Sequence, residues 1–192
     1  MISVADGQKI IQLARDSIIT KFSNSNPEVK GLDHLTDTQG IFVTLHKNGE
    51  LRGCVGYIES EKSLKDSITE IARSAAFRDS RFDPVTVDEM KEIVLEVSIL
   101  SIPAQIKITK PEDYIDFIKI GQHGLILQNG MHSGLLLPQV PIEQKWDEKE
   151  FLTYLGIKAG IGPEAWKEKN TKIFAFEAQV FHEEKKSDKN SS

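Results

Sequence analysis

The chain of 192 residues has one cysteine, no long apolar run and no excess of positive charge. With Cys54 alone, no internal disulfide can form, and a free thiol fits a reducing compartment. No stretch approaches the roughly 20 apolar residues that span a bilayer. The start, Met1 to Gly7, lacks a basic segment followed by an apolar one, so no signal peptide is expected. A cytoplasmic protein without a membrane partner is the expectation. Net charge is −5, whereas a nucleic-acid binder usually carries a basic excess to displace counterions from phosphates, so DNA or RNA is a disfavoured partner. There is no GxGxxG, Walker, HExxH or paired CxxC motif. One cysteine and scattered histidines do not compose a structural zinc site. Neither a metal nor a cofactor is expected.

What is present is the composition of an ordinary globular protein, 39% hydrophobic and 28% charged. Ile10, Ile11, Leu13, Ala14, Ile18 and Phe22 recur at helical spacing, with Lys9, Gln12, Arg15 and Asp16 off the stripe. A strand follows at 41–46. Asn48-Gly49 then marks a hairpin, because both residues tolerate positive φ, and the return strand from Leu51 carries Cys54. A helix should start near Ser63, with Leu64, Ile68, Ile71, Ala72 and Ala75 buried. The segment 93–100 alternates, with Ile93, Leu95, Val97 and Ile99 on one face and Glu96 and Ser98 on the other.

The second half repeats the order. A short helix is expected after Pro111, then strands at 124–128 and 134–137 around Asn129-Gly130. Asp147 with Glu150 forms a capping pair for a helix burying Phe151, Leu152, Leu155 and Ala159. A helical turn after Pro163 and a last strand at about 172–181 complete the chain. Asn48 to Ile93 spans 45 positions and Asn129 to Ile173 spans 44, as in a degenerate duplication. Identity between the halves is poor beyond the turns, so two unrelated ββαβ units give the same pattern. Either way the expectation is an α+β fold: two lobes of antiparallel sheet covered by helices, with a groove between them. The lobes should occupy roughly 1–110 and 111–182 of a single domain and share one core. The tail, 183–192, is charged and rich in Ser and Asn, and should be disordered.

Candidate chemistry centres on Leu51-Arg52-Gly53-Cys54-Val55-Gly56. Strand alternation puts Arg52 and Cys54 on one face, and a guanidinium beside a thiol favours the nucleophilic thiolate. Gly53 and Gly56 would admit a ligand, a second backbone or a bulge. Against this, a free cysteine is among the most buried residue types, and glycine-rich strands often pack under helices. A cysteine hydrolase also needs a base. Among His34, His46, His123, His132 and His182, His123 is the best candidate, since Gly121 and Gly124 flank it at a strand start. Arg78 and Arg81 could grip a carboxylate or phosphate, or simply favour a helix C-terminus. Gln139, in an apolar stretch, is either a backbone clamp or a ligand contact. Trp146 reads as a packing anchor.

These segments, together with Arg78-Asp79-Ser80-Arg81-Phe82-Asp83-Pro84-Val85, Glu96-Val97-Ser98, Leu136-Leu137-Pro138-Gln139-Val140, Trp146-Asp147, Lys158-Ala159-Gly160 and Trp166, resemble the AMMECR family. Its prokaryotic members are called AmmeMemoRadiSam system protein A. The resemblance covers nearly the whole chain. It implies two α+β lobes with an internal duplication, and an association with Memo-like and radical SAM proteins. It transfers no catalytic residue, because the family has no established activity; Arg52, Gly53, Cys54 and Gly56 match its signature hexamer. Family members often carry a second cysteine in the helix before Lys-Ala-Gly. Here that position is Gly156, so a two-thiol mechanism within the chain is not expected.

Two functions compete. One is a binding or adaptor module using a groove at the Arg52-Gly53-Cys54 hairpin. The other is a cleft enzyme in which Cys54 is a thiolate activated by Arg52, and Arg78 and Arg81 orient a small anionic substrate.

Overall fold

Ser3 opens the first helix: its hydroxyl accepts the Asp6 N–H at 3.1 Å, satisfying one of the donors a helix start leaves unpaired. Helix α1 runs Val4–Phe22 and buries Ile10, Ile11, Leu13, Ala14 and Ile18. The structure is a computed structural model and describes residues 2–28 and 30–184. Strand β1, Ile41–Lys47, turns into β2, Glu50–Tyr57. Asn48 and Gly49 both take positive φ there, 54° and 85°, as a tight hairpin turn requires. Helix α2, Leu64–Phe77, is capped by Ser63 and ends at Arg78. A short 3-10 turn, Glu89–Lys91, leads to β3, Ile93–Leu100.

The second half contains a two-residue strand β4, Ala104–Gln105, a short helix α3, Asp113–Phe117, and the hairpin of β5, His123–Asn129, and β6, His132–Leu136. Helix α4, Gln139–Gln144, was not anticipated; it starts just after Pro138 inside the apolar stretch. Helix α5, Glu148–Lys158, carries the reciprocal Asp147–Glu150 capping box. Strand β7, Lys172–His182, closes the chain. No helix among the described residues is long and apolar enough to cross a membrane.

Contacts divide the chain into two compact units. One holds residues up to Ile99 together with the segment from Gln179 onward, and the other holds Leu100–Ala178. The boundary expected near residue 110 therefore lies about a strand earlier, and the end of β7 returns to the first unit. The core expected to be shared is two apolar clusters, one per unit. In the first, Ile41, Val43, Leu45, Leu95, Val97 and Ile99 of the sheet gather with Ile10, Ala14, Ile18, Ile68, Ala72 and Ala75 of the helices. In the second, Leu125, Leu127, Phe151, Leu152, Leu155, Trp166 and Ile173 do the same. Removing such aliphatic surface from water contributes about 1.5–3 kcal/mol per side chain.

Both units follow one plan. In the first the sheet order is β2-β1-β3, in the second β6-β5-β7, all antiparallel. Leu45 pairs with Gly53 and Leu95; Leu127 pairs with Gly134 and Ile173. A Cβ on Gly53 would lie 2.4 Å from the Ala75 carbonyl oxygen of α2, and one on Gly134 would lie 2.7 Å from the Ala159 nitrogen just after α5. Each unit thus places a glycine where a helix end presses on the hairpin.

Residues 185–192 lie outside the described residues, but Glu183, expected to begin the disordered tail, is anchored. Its N–H donates to the Leu95 carbonyl at 2.9 Å, and its carboxylate accepts from the Leu95 N–H at 3.1 Å. Arg15 grips that carboxylate and also donates to the carbonyls of Met90 and Ile93, at 3.0 and 2.7 Å.

Candidate functional site around the Cys54 hairpin

The register of β1 and β2 decides where the hairpin side chains go. Leu45 faces Gly53 and His46 faces Leu51, so Arg52 is an inserted residue, a β-bulge. The expected alternation of Arg52 with Cys54 is interrupted there. Arg52, proposed as the activator of the thiol, instead donates to Glu89 from two nitrogens at 3.1 Å each and to the Asp83 carbonyl at 2.9 Å.

The cation that acts on the sulfur is Arg81. Its guanidinium donates to the Cys54 carbonyl at 3.1 Å and to both carboxylate oxygens of Asp79, at 2.9 and 2.7 Å. Asp79 in turn accepts the Cys54 N–H at 2.8 Å. Because β2 is the edge of its sheet, an Asp–Arg pair occupies the hydrogen-bonding positions that a neighbouring strand would fill at Cys54. Both arginines approach the Phe82 ring, whose centroid is 5.8 Å from the Arg52 guanidinium carbon and 5.5 Å from that of Arg81. The close approaches fit the glycines. A Cβ on Gly56 would meet the Ile41 carbonyl at 2.3 Å and the Phe42 ring at 2.4 Å, so Gly53 and Gly56 are filled by the protein's own backbone and side chains.

The Cys54 thiol is partly exposed. The Thr44 hydroxyl donates to its sulfur at 3.4 Å. Burial pushes the thiol up from its ordinary value. The Thr44 bond and the charge of Arg81 pull it down by less, and Asp79 and Glu96 push it further up. The net direction is opposite to the one that the activated-thiolate alternative needs. Among the described residues no histidine is hydrogen-bonded to it.

The acids take the opposite shift. Hydrogen bonds from Arg81, then from the Cys54 and Arg81 N–H groups, hold Asp79 well below the usual carboxylate range. Arg52, then the Thr86 N–H and Lys47, bring Glu89 from 4.5 to about 2. Glu89 therefore binds fewer protons folded than unfolded, and its contribution, present above 4.5, is lost as pH falls from 4.5 to about 2. Discounted for solvent screening, Glu89→Gln should cost about 2 kcal/mol at neutral pH and almost nothing near pH 2. Urea midpoints of both proteins across that range check it; a constant gap would remove the Arg52–Glu89 charge pair as its source.

Arg78 is exposed at the C-cap of α2, and among the described residues no hydrogen bond or ion pair engages its guanidinium. His123 and Gln139 belong to the second unit. His123 stacks on Phe117 with ring centroids 5.4 Å apart, and its Nδ1 accepts the Lys119 N–H at 3.3 Å; burial lowers its pKa. Gln139 opens α4 with its side-chain oxygen buried. Trp146 stacks on Tyr154 at 4.0 Å, as a packing anchor should. Gly156, where a second cysteine was weighed, has no room for one: a Cβ would lie 2.2 Å from the Gly162 carbonyl oxygen. No group of three or more His, Cys, Asp or Glu suited to a metal occurs among the described residues.

Residues not singled out from sequence complete the picture. Thr44 pairs with Cys54 on one side and Glu96 on the other, and Glu96 lies 3.4 Å from His182. Asp79 organises the hairpin, holding the Cys54 N–H and the Arg81 guanidinium. Alternation along β1 read together with the Asn48-Gly49 turn would have placed Thr44 opposite Cys54, had the bulge at Arg52 been foreseen.

Fold and site define a class: an α+β protein of two ββαβ units in which only the first carries the arginine–glycine–cysteine hairpin. The AMMECR1 family model matches residues 11–181, and the chain belongs to that family. It is 42% identical to protein MK0488 of Methanopyrus kandleri over 188 residues, 95% of this chain and 91% of the relative. It is 48% identical to protein MJ0810 of Methanocaldococcus jannaschii over 161 residues, 83% of this chain and 78% of the relative. The crystal structure of protein PH0010 from Pyrococcus horikoshii matches with a TM-score of 0.88 at 38% identity, covering 95% of this chain and 94% of that one.

Proposed function

We propose that the chain is a cytoplasmic binding module that works with Memo-like and radical SAM proteins, and that a partner seats on the surface of the Cys54 hairpin. The observation that carries this reading is how the hairpin's charges are used. Arg52, Arg81, Asp79 and Glu89 are all engaged in holding backbone and one another, and burial pushes the thiol up with no base hydrogen-bonded to it among the described residues. Such a site is built to hold a shape rather than to activate a nucleophile. Around it Leu51 and Val87 are exposed, and Arg78 offers an uncommitted guanidinium. Apolar contact plus arginine is the composition of a protein-binding patch. The activated-thiolate enzyme, which needs the opposite pKa shift, is the alternative.

Association of the purified chain with purified Memo-like and radical SAM proteins tests this by biolayer interferometry. Arg78→Glu should weaken the complex about tenfold, the loss of one interface arginine, while Cys54→Ser changes Kd by less than about threefold. No association with either protein, or loss on Cys54→Ser alone, would overturn it.

A further inference from the structure

The strand order ends on β2 in the first unit and on β6 in the second. An edge strand shows a row of unpaired N–H and C=O groups, and proteins close such edges with charges, bulges or covering segments. The first unit uses all three. Strand β2 carries Glu50 and Arg52, bulges at Arg52, and has the outward N–H and C=O of Cys54 taken by Asp79 and Arg81.

Strand β6 has none of these. Its residues, His132-Ser133-Gly134-Leu135-Leu136, include no acid, lysine, arginine or proline, and its pairing with β5 runs without a bulge. Asn129 faces His132 across a two-residue turn, and such a turn closes on a mutually hydrogen-bonded pair. His132, Gly134 and Leu136 therefore bond inward to β5, whereas Ser133 and Leu135 aim their N–H and C=O away from the sheet. Leu135 is the register equivalent of Cys54, since each follows the glycine under its helix end. In the first unit the segment after α2 reaches that position. In the second the segment after α5 turns back on its own helix, where the Ile161 and Gly162 N–H groups donate to the Gly156 carbonyl at 3.2 Å each. Among the described residues nothing is hydrogen-bonded to the outward groups of Ser133 or Leu135.

The side chains along this edge select what fits it. Gly134 lies under the end of α5, so Ser133 and Leu135 face the other side of the sheet. There Leu135, Ile126 and Phe174 form one cross-strand row, and Ser133, Gln128 and Lys172 form the next. The first row is apolar and stops at half-buried Leu135; the second is exposed. An added strand would continue the first row with an apolar side chain. A five-residue edge spans about 17 Å, too little by itself for the roughly 1,200 Å² that a stable dimer buries. An extended peptide suits it, because such ligands draw their affinity from main-chain bonds.

We propose that the open edge of β6 binds an extended, uncharged segment of a partner protein by strand addition, with an apolar residue opposite Leu135. The Cys54 hairpin takes no part in it.

Titration of the isotope-labelled full chain with the peptide acetyl-Thr-Val-Thr-Val-Thr-amide, followed by NMR, tests this. Saturable shifts should centre on residues 132–136, with the Ser133 and Leu135 amides moving most. Methylating both valine nitrogens of the peptide removes the donors that face the edge and keeps every side chain. It should weaken binding at least about tenfold, the scale of one to two net hydrogen bonds. Ser133→Pro removes an outward N–H and leaves the ladder to β5 intact, and Leu135→Lys puts a charge at the end of the apolar row. Each should weaken binding by a similar factor, in a chain whose own spectrum reports that it is folded. No saturable binding with Kd below about 1 mM, shifts centred on β2, equal binding of the methylated peptide, or indifference to both substitutions would overturn the site. So would a chain that dimerises through β6 and excludes the peptide.

Discussion

Gly53→Val should destabilise the first unit by about 3 kcal/mol or more, the upper end of what an overpacked core position costs. The reason is not backbone freedom, since Gly53 is absent from the positive-φ residues. A Cβ there lies 2.4 Å from the Ala75 carbonyl oxygen, a main-chain atom of α2 that no rotamer change can move. Relief requires α2 to lift from the sheet, exposing Ile68, Ala72 and Ala75, all of the first core. At Gly49, by contrast, nothing lies within 4 Å of a Cβ, and the only strain is its φ of 85°, so Gly49→Ala should cost about 1 kcal/mol. Urea unfolding followed by circular dichroism would separate the two. A loss below about 1 kcal/mol for Gly53→Val would mean that α2 does not press on the hairpin.

That contact also shows where sequence reading stops. Period and cap signals located α1, α2, β3, α5 and β7 because each signal is local: a 3.6-residue stripe, an alternation, or a capping residue three positions from its partner. The two Asn-Gly turns found both hairpins for the same reason. The function of Gly53, whether for a ligand or for a helix, depends on what lies across 22 positions of chain, and no local pattern carries that. Arg52 was misplaced for a related reason. Alternation assumes an uninterrupted strand, and a bulge shifts the phase by one residue without a strong signature of its own. Its carboxylate partner was a choice among many acids, settled only when the turn at 89–91 brought Glu89 to the hairpin. The tail was read from composition, which sees the charge of Glu183 but not the Arg15 that receives it.

Register supports the duplication more strongly than spacing does. Equal distances between Asn-Gly turns and later strands are weak support. Matching strand order, matching antiparallel pairing, and a glycine under a helix end in each unit are much stronger, because they depend on residues distant in sequence. Against that shared frame the arginine–glycine–cysteine hairpin is a local elaboration: its Cys54 corresponds to Leu135, and its edge is capped by a charged pair from the segment after α2.

Asp79→Ala should cost about 3 kcal/mol, because one carboxylate serves two partners at once. It accepts the Cys54 N–H and pairs with Arg81 through both oxygens, and it is buried. Alanine leaves an edge-strand N–H without its acceptor and a guanidinium without its counter-charge, each worth about 1–3 kcal/mol. Asp79→Asn keeps one acceptor for the N–H and should lose less, about 1–2 kcal/mol. It also removes a negative charge that pushes the Cys54 thiol up. The thiol in Asp79→Asn should therefore ionise at lower pH and alkylate faster at neutral pH, in a protein less stable than the parent. Because Asp79 is held well below the usual carboxylate range when folded, its stabilising effect is present above its unfolded value of 3.8 and is lost as pH falls below it. The parent and Asp79→Asn should then converge in stability under acid. Urea midpoints and the pH profile of iodoacetamide labelling, measured on the same samples, read both effects. A variant that loses stability while its thiol profile stays that of the parent would show that Asp79 holds the strand without setting the charge at the sulfur.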